Sequence, residues 1–259
     1  MGKPIYFRTV TTDAYQGPNM ANYFAQKLKV KKVFVLDDTG AYGVGIANAF
    51  EAQAKKDGMT VLGHDQVDPL SPDYMPLLTK IKGFDPDALY YGGSSLAGVK
   101  VVKQSYDVLP KIIKGGGDGV YGASLLQGAG YPAVEGWYAT IAAPYLAENP
   151  NVAPWIKRYE TKYGHGPTSY SFTAYDGMLV ALDAIERVNA SGKPVNRETV
   201  RDAIQTANLK TLQGVVSFDE NGDIKDRTVS VFRYQYDDKY PVDAVLHQYK
   251  YLGVAPQTS

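Results

Sequence analysis

Two stretches constrain this chain more than anything else in it: Leu89-Tyr90-Tyr91-Gly92-Gly93-Ser94-Ser95 and Lys111-Ile112-Ile113-Lys114-Gly115-Gly116-Gly117-Asp118-Gly119. Each is a short apolar run that ends in glycines and then in a small polar or acidic residue. A strand buried on both faces reads as a continuous run and not as an alternation, and in an open α/β sheet ligands gather outside the carboxyl ends of the strands. The pair therefore predicts parallel strands that deliver side chains to a binding site, not to a reaction centre.

The rest of the first half repeats the same unit. Residues 5–10 read as a strand, residues 11–18 as a polar turn, and residues 19–28 as a helix with Tyr23, Phe24 and Leu28 on one face. Lys32-Val33-Phe34-Val35-Leu36-Asp37-Asp38 is a buried strand that stops in two acids. The glycine-bearing loop 39–45 opens a helix over 46–56, closed by Asp57-Gly58. A strand at 60–64, a helix at 74–82 with Leu77, Leu78 and Ile81 as its buried stripe, a strand at 89–92, a helix at 96–108 and a strand at 111–114 follow. This alternation predicts a doubly wound α/β lobe with a parallel sheet, and it places Tyr42, Ser94 and Asp118 in loops at the carboxyl ends.

Beyond residue 135 the pattern changes. Residues 135–144 read as extended, and helices are predicted over 154–163, over 170–188 with Met178, Leu179, Leu182 and Ile185 along its length, and over 197–206 behind an Asn196 cap. These helices have almost no strands of their own to cover. Asp219-Glu220-Asn221-Gly222-Asp223 carries an Asn-Gly turn signal and predicts a hairpin between strands at 215–218 and 228–236, with a further strand at 244–251.

Charge removes several function classes. Lys plus Arg and Asp plus Glu both number 27, so no net field draws the chain to nucleic acid or to an anionic membrane. The absence of cysteine excludes disulfides, thiolate metal sites and cysteine nucleophiles. The 21 tyrosines suit the walls of a ligand cleft, because each joins a flat apolar body to a hydroxyl. Residues 1–10 hold no apolar signal core, so an export signal is not expected within this sequence, and no window approaches the ~20 apolar residues of a membrane span.

Catalytic and cofactor motifs fail on spacing. The glycines of 40–45 run G-x-x-G-x-G, not the dinucleotide order, and Gly93-Ser94-Ser95-Leu96-Ala97 lacks the last glycine of a nucleophile elbow. The turn at 219–223 begins like a calcium loop, yet Ser230 stands where the bidentate glutamate belongs. His64, His165 and His247 are too scattered for a triad or a zinc site, so no metal and no cofactor is expected. Asp13 and Asp118 remain a conceivable carboxylate pair for a hydrolase.

Taken in order, Phe7-Arg8-Thr9 with Asp13 and Gln16-Gly17-Pro18, Val35-Leu36-Asp37-Asp38 with Tyr42-Gly43, Tyr90-Tyr91-Gly92-Gly93, Gly117-Asp118-Gly119, Glu135-Gly136, Tyr175-Asp176, and Phe218-Asp219 with Gly222-Asp223 form a series. It resembles the solute-binding proteins of branched-chain amino-acid ABC importers, which have the type I periplasmic binding fold. The resemblance implies two α/β lobes that close on a small solute in an interlobe cleft and then dock on a membrane permease, outside the cytoplasm. It implies that Tyr42, Ser94 and Asp118 meet the solute, Asp118 through an ammonium group. Tyr91, Asp13 and Tyr175 are further candidates for the site. Two departures stand out: Ser94 occupies a position where the branched-chain binders carry an aromatic residue, and Asp118 is one methylene shorter than their glutamate.

The resemblance also implies that the chain opens at the first hinge crossing. On that reading residues 1–9 are a hinge strand, residues 10–142 with 230–259 are a complete α/β lobe, and residues 143–229 are the remainder of an incomplete second lobe. That lobe would be covered by a missing N-terminal segment or by a second copy. The expected function is a non-catalytic, periplasmic receptor for an amino acid or a related small polar solute. The alternatives are a ligand-sensing module of a regulator and a hydrolase using cleft carboxylates.

Overall fold

The computed structural model describes residues 4–258. In chain order the elements are α1 (Asp13–Gln26), β1 (Lys32–Asp37), α2 (Ala41–Lys56), β2 (Thr60–Gln66), α3 (Met75–Gly83), β3 (Ala88–Gly92), α4 (Ser95–Val108), β4 (Ile113–Gly116), α5 (Ala123–Ala129) and β5 (Tyr138–Ile141). They continue with α6 (Ala153–Tyr163), α7 (Ser169–Ala190), α8 (Arg197–Gln205), β6 (Leu209–Thr211), β7 (Gly214–Val216), β8 (Ser230–Tyr234), α9 (Val245–Gln248) and β9 (Tyr249–Val254). The described residues fall into two compact units, the larger drawn from residues 13–142 with 229–258 and the smaller from residues 4–12 with 143–228.

The larger unit is a seven-stranded sheet in the order β2-β1-β3-β4-β5-β8-β9. Its first five strands pair in parallel, and β8 and β9 complete it antiparallel. All five residues of β3 are buried, as are the last five of β1, which is why these segments read as unbroken apolar runs. Tyr90 and Tyr91 leave β3 on opposite faces. On one face Tyr90 stacks on Phe50 of α2, ring centroids 3.7 Å apart, within a core that includes Met20, Phe24, Val33 and Val35. On the other, Tyr91 packs where Gly98 of α4 leaves room. Helices on both faces make this a doubly wound α/β unit.

Several boundaries differ from the sequence reading. The helix expected at 19–28 starts at Asp13, with Pro18 inside it. Close packing on α2 overrides the turn chemistry: a methyl group on Gly17 would lie 2.7 Å from the Ile46 carbonyl oxygen. The helix expected at 46–56 begins at Ala41, so Gly43 and Gly45 are helical. The strand expected at 111–114 runs from Ile113 to Gly116, because Ile113 is the residue in register with Ala88. At the carboxyl terminus, residues 245–248 are helical and the strand is displaced to Tyr249–Val254.

In the smaller unit the strand expected at 5–10 reduces to one parallel bridge between Arg8 and Asp223, and Ile5 is 87% exposed. The predicted 215–218/228–236 hairpin does not form. β7 pairs with β6, a strand missed in the sequence, β8 joins the seven-stranded sheet, and the 219–223 turn closes only the Phe218–Ile224 bridge. Two apolar clusters stabilise the unit, one around Val180, Val216 and Phe218, the other around Trp155 and Phe172. Asp176 is fully buried on α7 and accepts hydrogen bonds from Thr211 Oγ1 and from the Leu212 and Gln213 amides. Asn196 caps α8 as expected, its Oδ1 accepting from the Glu198 and Thr199 amides.

The long helix α7 carries an unusual surface. Met178, Leu182 and Ile185, read in the sequence as an apolar row along this helix, are 60%, 48% and 41% exposed, and Tyr175 continues the same row. Val180, Ala184 and Val188 face the other way and are buried. Among the described residues no helix is long and apolar enough to cross a membrane.

Candidate functional site

Three consecutive strand ends of the larger unit build one pocket. β1 ends in Asp37 and passes through Asp38 into α2, β3 ends in Gly92 and passes through Gly93-Ser94 into α4, and β4 ends in Gly116 and passes into a single 3-10 turn over Asp118–Val120. The pocket is about 360 Å³ and is lined by Tyr42, Ser94, Ser95, Asp118, Gly119, Tyr121, Gly122, Ser124 and Leu125.

The loops are held against one another by Asp38. Its Oδ2 accepts from the Ser94 amide at 2.8 Å and from Ser94 Oγ at 3.2 Å, and its Oδ1 accepts from the Gly40 amide. The Asp38 amide donates to the Gly92 carbonyl. This contact explains the glycines: a methyl group on Gly43 would sit 2.7 Å from the Gly92 oxygen, and one on Gly119 would sit 2.9 Å from the Gly93 carbonyl carbon. They serve the close approach of loop to loop, not the cradling of a phosphate.

Tyr42 and Asp118 meet in the pocket. The Tyr42 hydroxyl donates to Asp118 Oδ1 at 2.6 Å and accepts from the Gly119 amide at 3.1 Å. Burial, reinforced by the adjacent carboxylate, keeps that hydroxyl protonated far above the ordinary phenol range. Its proton is therefore committed to Asp118, and what Tyr42 adds to the pocket is chiefly its ring. Asp118 does not cap the following helix, whose N-cap is Gly122.

Of the residues expected at the site, Tyr42, Ser94 and Asp118 line this one pocket. Tyr91 is buried beneath it, its hydroxyl donating to the Ser94 carbonyl at 2.9 Å. Asp13 is the first residue of α1 and is not part of the lining. Tyr175 belongs to the smaller unit, in a groove of about 640 Å³ between α6 and α7 that also involves Trp155, Arg158, Tyr159, Lys162 and Tyr163. Ser95, Tyr121, Ser124 and Leu125 were missed. Ser95 was legible as the neighbour of Ser94, whereas Tyr121 sits in a loop without periodicity and Ser124 and Leu125 open the seven-residue helix α5, too short to write a helical period.

Charged groups elsewhere are engaged structurally. His64 lies between Glu51 and Asp37, at 2.6 and 2.9 Å, and joins β2 to α2 and β1. None of the three histidines lines the pocket. Asp219, the first acid of the turn tested as a calcium loop, accepts from the Asn221 and Asp223 amides of its own turn.

A largely parallel sheet with a pocket at the carboxyl ends of three of its strands defines a doubly wound α/β protein with a candidate ligand site. The particular family follows from comparison: the profile of the periplasmic binding protein family matches residues 2–240, and the chain belongs to that family. It is 29% identical over 229 residues to Leu/Ile/Val-binding protein homolog 3 of Brucella melitensis, covering 88% of this chain and 61% of that protein. It is 28% identical over 232 residues to the Leu/Ile/Val/Thr-binding protein of Salmonella typhimurium, covering 89% and 61%. The crystal structure of a leucine binding protein from Thermotoga maritima superimposes with a TM-score of 0.81 at 27% identity, over 96% of this chain and 67% of that one. The chain thus spans about six tenths of the length of the curated relatives it matches.

Proposed function

We propose that the chain is the solute-recognising part of a non-catalytic, extracytoplasmic receptor that hands an amino acid or a related small polar solute to the permease of an ABC importer. The observation that carries this reading is the Asp118 carboxylate, placed in a pocket of mixed polar and apolar lining at the carboxyl ends of three parallel strands and oriented by Tyr42. A carboxylate in such a place attracts an ammonium group, and a charge-assisted hydrogen bond there contributes about 1.5–3 kcal/mol. The pocket would form one wall of a cleft that closes on its cargo by a hinge movement and opens to release it. The names of the relatives, which bind branched-chain amino acids, support the class.

The apolar row Met178, Leu182 and Ile185 belongs to the same proposal. The relatives carry about four tenths of their length beyond the matched portion, and a segment of that kind with an apolar face is the occupant this row fits. Calorimetric titration with a panel of amino acids tests the receptor reading: saturable binding that Asp118→Ala weakens by about tenfold or more is the expected result. Turnover of an amide or ester that disappears with Asp13→Asn or Asp118→Asn would replace it with a hydrolase. A chain that dimerises through the α7 row, seen by light scattering and abolished by Leu182→Lys, would replace the missing segment with a second copy.

A further inference from the structure

The chemistry of the pocket lining narrows the cargo beyond the receptor reading on which this inference rests. Of the nine lining residues four bring hydroxyls, namely Ser94, Ser95, Tyr121 and Ser124, Tyr42 brings its ring, and Asp118 brings its carboxylate. Leu125 is the one aliphatic side chain among them, and it is 2% exposed, committed to the interior below the pocket. Ser94 and Ser124 stand exposed at the rim; the Ser94 hydroxyl donates to Asp38 and the Ser124 hydroxyl is open to water.

An aliphatic tail laid over the serine rim strips water from the Ser124 hydroxyl and returns no hydrogen bond, and the apolar contact it meets comes from the tyrosine rings. A ligand whose tail carries a hydroxyl or an amide replaces the lost water bonds directly, and a site built of hydrogen-bonding groups discriminates sharply against analogues that lack the partner. We infer that the cargo is a small amino-bearing solute with a polar, hydrogen-bonding tail, such as a hydroxyl or carboxamide amino acid, in preference to a branched aliphatic one. Asp118 selects the amino group; Ser94, Ser95 and Ser124 select the tail. Among these, Ser94 sits at the mouth of α4 with its amide and its hydroxyl both donating to Asp38, so that its oxygen faces the tail as an acceptor.

Backbone-amide NMR of the 259-residue chain, titrated into the millimolar range with L-serine, L-threonine, L-asparagine, L-leucine and L-valine, reads this directly even if the binding is weak. The expected result is movement of the Tyr42, Gly119 and Ser124 resonances, with at least one polar amino acid binding tenfold or more tighter than leucine and valine. Ser94→Phe is expected to erase or invert that order. Leucine or valine binding as tightly as every polar amino acid would overturn the inference while leaving the receptor reading intact. Silence of these resonances to all five amino acids and to ethanolamine would overturn both.

Discussion

Replacing Lys114 by methionine raises the stability of the larger unit at neutral pH, and the gain fades in alkali. Lys114 lies on β4 in register with Leu89, is 7% exposed, and burial alone pulls its ammonium group from 10.5 down to about 8. The unfolded chain holds this proton up to about pH 10.5, whereas the folded chain releases it near pH 8. Between these limits the unfolded state binds more protons, so stability rises with pH; below about pH 8 the full penalty for burying the charge is in force. At about 1.4 kcal/mol per pH unit the interval amounts to about 3 kcal/mol, of which methionine, similar in length and uncharged, recovers the larger part. Urea unfolding of both proteins, followed by circular dichroism at pH 7 and at pH 10.5, measures the gap. Lys114→Met is expected to unfold at higher urea at pH 7 and at nearly the same urea as the parent at pH 10.5. Equal midpoints at pH 7, or a gap that persists at pH 10.5, would show that the ammonium is hydrated and refute the reasoning.

Three further outcomes follow from contacts already described. Tyr42→Phe removes the donor to Asp118 and the acceptor of the Gly119 amide; it is expected to cost about 1–3 kcal/mol in chemical denaturation, and an unchanged midpoint would show the pair to be energetically idle. Asp176→Ala strands the Leu212 and Gln213 amides and Thr211 Oγ1; it should lower stability by about 3 kcal/mol and speed hydrogen exchange at 212–213, and retained protection there would remove Asp176 as the anchor of the β6–β7 turn. Leu182→Lys on the exposed row should change stability by less than about 0.5 kcal/mol while reducing the binding of a hydrophobic dye. A large loss of stability would mean that Leu182 is packed.

What was legible in the sequence divides along a physical line. β1 and β3 were readable because burial on both faces writes a continuous apolar run, and the meeting of Tyr42 and Asp118 in one pocket because each follows the end of a parallel strand within a few residues. The pairing of β8 was not readable. A turn such as Asp219–Asp223 reports local backbone preference and says nothing of which strand a flanking segment will join, and Ser230–Tyr234 finds its partners at Tyr138–Ile141 and Tyr249–Val254. Pro18 hid the start of α1 because a local rule pointed one way and the contact with α2 decided the other. Asp38 was readable as a strand end but not as the clamp on Ser94, a contact across 56 residues. The exposed α7 row shows the remaining limit: helical spacing predicts that apolar residues share a face without saying whether anything covers it.

The crowding of backbone around Gly43, Gly92 and Gly119 has a consequence for how the selectivity of this pocket can change. A heavier residue at any of the three would wedge the strand ends apart and dismantle the pocket with them. New specificity therefore has to be written in the rim, at the serines that stand clear of that crowding, while the floor is inherited unaltered.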